Sequence, residues 1–92
     1  MSGVNALVLI KSQTDLVNEL AEQLVDVPGV TEVFSVAGPY DLVAIVRVRE
    51  NDDLAEVITH RIRKLNGILS TETLIAFRVF TSAQLSQVLD LD

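Results

Sequence analysis

The second half of this chain repeats the first, and that repetition restricts its fold more than any other feature. Displaced by 38 residues, Ala6-Leu7-Val8 falls on Ala44-Ile45-Val46, Asp15-Leu16 on Asp53-Leu54, and Gly29-Val30 on Gly67-Ile68. Each half reads strand, helix, strand. Val4–Lys11 is a β-branched and leucine run of strand length. Gln13, Thr14 and Asp15 break it and offer helix caps, after which Leu16, Leu20, Leu24 and Val27 recur at helical spacing. Pro28-Gly29 ends that helix, and Thr31–Ala37 supplies a second strand.

The turn Gly38-Pro39-Tyr40-Asp41 leads into a third strand, Leu42–Arg49. Asp53-Leu54-Ala55-Glu56 then fits a capping box for a second helix that buries Leu54, Val57, Ile58, Ile62 and Leu65. Asn66-Gly67 closes it, and a fourth strand lies within Ile68–Phe80. The order βαββαβ predicts a ferredoxin-like α+β fold, a four-stranded antiparallel sheet with both helices on one face and strands one and three at its centre. Residues 1–81 form the domain, and 82–92 a tail whose Ser82–Leu89 stretch reads as a short helix before an acidic end.

Composition narrows the function. With 4% aromatic residues the core must be aliphatic, and a net charge of −6 opposes direct binding to nucleic acid, which needs a basic face. The absence of cysteine rules out disulfides, thiolate metal sites and a thiol nucleophile. No cofactor or metal is expected. The N-terminus shows no signal-peptide pattern and no apolar run is long enough to span a bilayer, so a cytoplasmic protein without a membrane role is expected.

A sheet with helices on one face needs only one apolar side, yet here both sides of the strands are apolar. Leu42, Ala44, Val46 and Val48 oppose Val43 and Ile45; Val4, Ala6, Val8 and Ile10 oppose Leu7 and Leu9; Ile75, Phe77 and Val79 oppose Leu74, Ala76 and Phe80. An apolar patch of that extent marks an interface, and sheet-to-sheet homodimerisation buries it. Arg47 and Arg49 share one side of the third strand and fit ion pairs across such an interface.

The turn carries the chemistry for a small zwitterion. Asp41 suits an ammonium, Gly38 permits close backbone approach, and Tyr40 supplies a wall and a hydroxyl. Thr71 and Thr73 share one side of the last strand and add hydroxyls. Each residue also has a plain reading. Gly-Pro-x-Asp is ordinary turn chemistry in which Asp41 binds only local amides, threonines favour strands, and Glu72 fits a solvated or salt-bridged position. The one histidine, His60, falls on the water-facing side of its helix.

The Gly-x-Tyr-Asp turn opening a Leu-Val-Ala-Ile-Val strand, the helix ending in Leu65-Asn66-Gly67-Ile68, and the Thr71-Glu72-Thr73 strand together resemble the effector-binding (RAM) domain of the Lrp/AsnC family of transcription regulators. The resemblance spans about residues 3–81. It implies dimerisation through the sheets, assembly of dimers into rings such as octamers, and small amino acids bound in clefts between dimers. It matches Gly38, Tyr40 and Asp41 to the family's effector loop and puts Thr71, Glu72 and Thr73 on the strand that adds contacts. Family regulators carry a helix-turn-helix domain ahead of the first strand, whereas here the strand begins almost at Met1. The expectation is a stand-alone sensing and assembly module, with a full-length Lrp/AsnC regulator as a further partner. Two other readings stay open, a small dimeric α+β barrel enzyme of monooxygenase or isomerase type and a purely structural assembly module.

Overall fold

The computed structural model describes residues 3–82. The first strand, β1 (Val4–Ser12), is followed by a 3-10 turn (Thr14–Leu16) and helix α1 (Val17–Val25). Strands β2 (Val30–Ser35) and β3 (Leu42–Val48) form a hairpin. Helix α2 (Asn51–Glu56) runs into a π turn (Val57–Arg61) and a 3-10 turn (Ile62–Lys64), and β4 (Ile68–Ala76) completes the sheet. The strand order is β2-β3-β1-β4, antiparallel throughout, with β1 and β3 central as the repeat requires.

The register explains the burial. Ala6 faces Val46, Val8 faces Ala44 and Ile10 faces Leu42, and all six are fully buried beneath the helices. Leu20 and Leu24 from α1, Leu54 from α2, Val57 from the π turn and Ile62 from the 3-10 turn close the same core. One strand residue in two points this way, because side chains alternate across a pleated sheet.

The opposite face is apolar but uncovered. Leu9, Val43 and Ile45 are half-buried there, while Leu7, Phe34 and Leu74 are 37%, 49% and 47% exposed. Edge strand β4 is also open on its helix side, where Ile75 is exposed, and Leu69, left unpaired at the register shift, is exposed as well. The strand ends at Ala76 because its partner Asn5 is near the start of β1. Phe77 is therefore fully exposed, and the alternation read through Phe80 leaves the sheet at this point.

Two capping expectations shift. Helix α2 begins a turn earlier than the Asp53/Glu56 pair implies: Glu50 is the N-cap residue, and its N–H donates to Asp53 Oδ2 at 3.2 Å. Glu50/Asp53 and Asp53/Glu56 share the same spacing, and the helix starts from the first because β3 has just ended. At the other helix no side chain caps the turn; Gln13 instead donates its N–H to the Gly67 carbonyl at 2.8 Å, tying the two repeats together. The tail helix expected over Ser82–Leu89 lies, from residue 83 onward, outside the described residues.

Candidate functional site

The turn expected to grip a ligand is the β2–β3 hairpin loop. Val36 donates its N–H to the Asp41 carbonyl at 3.0 Å and closes the loop. Asp41 donates its own N–H to the Ile10 carbonyl at 2.9 Å, which extends the central ladder by one residue. Gly38 sits at φ +132°, a backbone state that side chains resist, and a Cβ there would meet nothing within 4 Å. The glycine is demanded by conformation and faces open space.

Asp41 is partly buried and already bonded. Its Oδ2 accepts the Ser12 N–H at 2.9 Å, where the pairing of β1 with β4 shifts register between Lys11 and Ser12. The plain reading of Asp41, a carboxylate holding local turn amides, is thus not what is found: the amide it holds belongs to Ser12, across the sheet. Among the described residues only one of its two oxygens is used. The Ser12 hydroxyl beside it is buried with no hydrogen-bond partner among those residues.

Tyr40 reaches over the open face of the sheet and donates its hydroxyl to Glu72 Oε1. That hydrogen bond holds the phenol pKa above its ordinary value of 10.0, with lost hydration and the nearby negative charge adding to the same direction. Glu72 is therefore an exposed acceptor for Tyr40 with no salt bridge among the described residues.

The register divides the six candidates. Glu72 lies opposite Leu9 on the open face, with Tyr40. Thr71 and Thr73 lie opposite Ile10 and Val8, so both project to the helix side, half-buried. Leu42 and Thr71 flank Ile10 on its two sides, so the backbones of the turn and β4 lie two strand spacings apart, about 10 Å, a gap that the Tyr40 side chain spans to Glu72.

Thr71 also lines a cavity of about 500 Å³ with Arg63, Ile68, Leu69 and Ser70. The sequence reading missed Arg63; its signal was a basic residue a few positions before the Asn66-Gly67 helix stop, placed over β4 only by the turn between them. Arg47 and Arg49 are exposed and form no ion pair among the described residues, where the one such contact is Glu56 with His60 at 4.0 Å, both exposed. Among those residues no cluster of His, Cys, Asp and Glu could hold a metal.

Comparison with known proteins agrees with this architecture. A family model described as the Lrp/AsnC ligand binding domain matches residues 5–85. An uncharacterized HTH-type transcriptional regulator of Pyrococcus furiosus is 33% identical over 78 residues, 82% of this chain and 52% of that protein. The chain spans about half the length of the curated relatives it matches. A solved protein from Thermus thermophilus superposes with a TM-score of 0.81 at 45% identity, covering 85% of this chain and 98% of that one. A transcriptional regulator from Neisseria meningitidis, solved as an L-Met complex, shares the fold at 12% identity, with a TM-score of 0.78 over 86% of this chain and 53% of its own.

Proposed function

This chain belongs to the Lrp/AsnC ligand-binding domain family, and we propose that it senses a small amino acid at the Gly38–Asp41 turn and assembles through its open sheet face. The observation that carries the reading is the turn itself. Gly38 opens onto empty space, and Asp41 is held in place by Ser12 with one carboxylate oxygen left for an ammonium. The N–H groups of Gly38 and Tyr40 donate to no backbone carbonyl among the described residues, so they suit a carboxylate. The Neisseria regulator's complex with L-Met supports an amino acid as the class of ligand.

Thr71 and Thr73 enter through a second copy. Within one chain the turn meets β4 where Tyr40 reaches Glu72 on the open face, whereas Thr71 and Thr73 project to the helix side. In this reading a ligand that touches both the turn and the threonines lies between protomers, which couples binding to assembly. The uncovered Leu7, Phe34 and Leu74 supply the apolar surface for a homodimer, and larger rings, or mixed assemblies with a DNA-binding relative, follow from further contacts. A cytoplasmic location belongs to this reading; no helix among the described residues is long and apolar enough to cross a membrane. A catalytic reading has less support, since the one histidine is exposed on helix α2's continuation and Tyr40 with Glu72 forms a rim contact and not an enclosed pair.

Thermal unfolding against each of the twenty amino acids tests the proposal. A ligand that binds only the folded state adds about 2.7 kcal/mol at a hundredfold excess over its Kd. A selective rise in Tm that Asp41→Asn removes is the expected result. A flat panel would overturn the sensing role and leave assembly alone.

A further inference from the structure

We infer that the cavity under Arg63 is a second binding site, for a small carboxylate or phosphate anion that carries no ammonium. It shares Thr71 with the amino-acid reading but not the turn, from which it is separated within one chain by the width of β1, so loss of binding at Asp41 and loss at Arg63 can be told apart.

The cavity forms because the two repeats end their helices differently. Helix α1 closes directly at Asp26, whereas α2 passes through a π turn and a 3-10 turn before Leu65 turns extended and Gly67 reverses the chain. The added turns carry Arg63 over the start of β4, leaving about 500 Å³ between it and Ile68–Thr71. That volume is within the range of small-molecule sites.

The lining selects the ligand. Arg63 presents a planar fork of donors that matches a carboxylate or a phosphate, and it has no ion-pair partner among the described residues. Thr71 brings a hydroxyl on the helix side, Ser70 lines the wall from a position whose side chain alternates toward the open face, and Ile68 and Leu69 bring apolar surface for a short stem. None of these five residues carries a carboxylate, so the cavity has no acid to receive an ammonium. This is the converse of the turn, where Asp41 is the dominant charge.

Charge placement supports the same conclusion. The chain carries −6 overall, yet three of its seven basic residues, Arg61, Arg63 and Lys64, fall within four positions at this one end. Basic groups in a last helical turn complement the helix dipole, which accounts for Arg61 and Lys64. Arg63 differs from them in lining an open cavity.

Calorimetric titration of the whole chain in chloride buffer, with pyruvate, inorganic phosphate and L-alanine as probes, tests the inference. Saturable binding of pyruvate or phosphate is expected, and whichever binds names the anion class. Arg63→Gln should weaken it about tenfold or more, and Arg63→Lys less, because a charged hydrogen-bond fork is replaced by a neutral group or by a point charge. Asp41→Asn should leave it unchanged, and L-alanine should gain nothing from Arg63. Failure of both anions to saturate would overturn the inference. So would an affinity that survives Arg63→Gln, or one that falls equally in Arg61→Gln, which would mark diffuse charge in place of a site.

Discussion

Replacing Asp41 with Ala should destabilise the fold itself, before any ligand is considered. The substitution removes the acceptor of the Ser12 N–H at 2.9 Å and leaves a buried residue's amide without its partner. Hydrogen bonds to charged groups contribute about 1.5–3 kcal/mol, and the partly buried setting favours a value of about 2. In a domain of this size each kcal/mol moves Tm by about 4–8 °C, so the variant should melt about 8–16 °C lower. Asp41→Asn keeps an oxygen acceptor and loses only the charge, so it should cost about half as much. The backbone bonds of Asp41 to Ile10 and Val36 survive in both variants, which assigns the loss to the side chain. The assay is thermal and urea unfolding followed by far-ultraviolet circular dichroism, without ligand and at one protein concentration, because self-association ties stability to concentration. An Asp41→Ala midpoint within about 0.5 kcal/mol of wild type would refute the role given to this carboxylate.

Tyr40 is the only tyrosine and there is no tryptophan, so phenolate absorbance reads it alone; its midpoint should lie above 10.0 and fall toward that value in Glu72→Gln. A folded-state pKa above the unfolded one means that Tyr40's contribution to stability is full below the unfolded value. It is lost as pH rises through the folded value, so at neutral and acid pH this group should add no pH dependence to stability. Gly67→Ala forces φ +101° on a side chain whose Cβ meets Leu16 at 3.1 and 3.2 Å, and urea unfolding should show a loss of about 1–3 kcal/mol. Ser12→Ala removes a buried hydroxyl that has no partner among the described residues while keeping the amide that Asp41 holds, so its Tm should equal or exceed wild type. Leu74→Glu puts a charge on the uncovered face proposed to pair with a second copy, and sedimentation velocity should show folded monomers under conditions where the wild type sediments as a dimer.

Much of the fold could be read from spacing. Ala6, Val8 and Ile10 with Leu42, Ala44 and Val46 alternate at period two, and Leu20 and Leu24 recur at a helical turn, so the core and the central strands follow from the repeat. Local competition hid the rest. Two acid pairs of equal spacing vied to cap α2, and only the end of β3 chose Glu50. Alternation put Thr71 and Thr73 apart from Glu72, but the pairing with β1 was needed to say that the threonines face the helices and Glu72 faces Tyr40. Asp41 and Ser12 are 29 residues apart, and a carboxylate bonded at that distance leaves no mark in the turn's composition. Arg63 became a cavity wall through a π turn and a 3-10 turn that helical periodicity does not anticipate.

The central claim is that an amino acid binds at the Gly38–Asp41 turn. Tyrosine emission of the wild-type chain, titrated with each of the twenty amino acids, tests it most directly, because Tyr40 is the sole emitter of its kind and belongs to the turn. One or a few amino acids should change the emission saturably, with the midpoint shifted to higher concentration in Asp41→Asn. A flat response to all twenty, or an amino acid that raises Tm while leaving Tyr40 emission unmoved, would contradict the account.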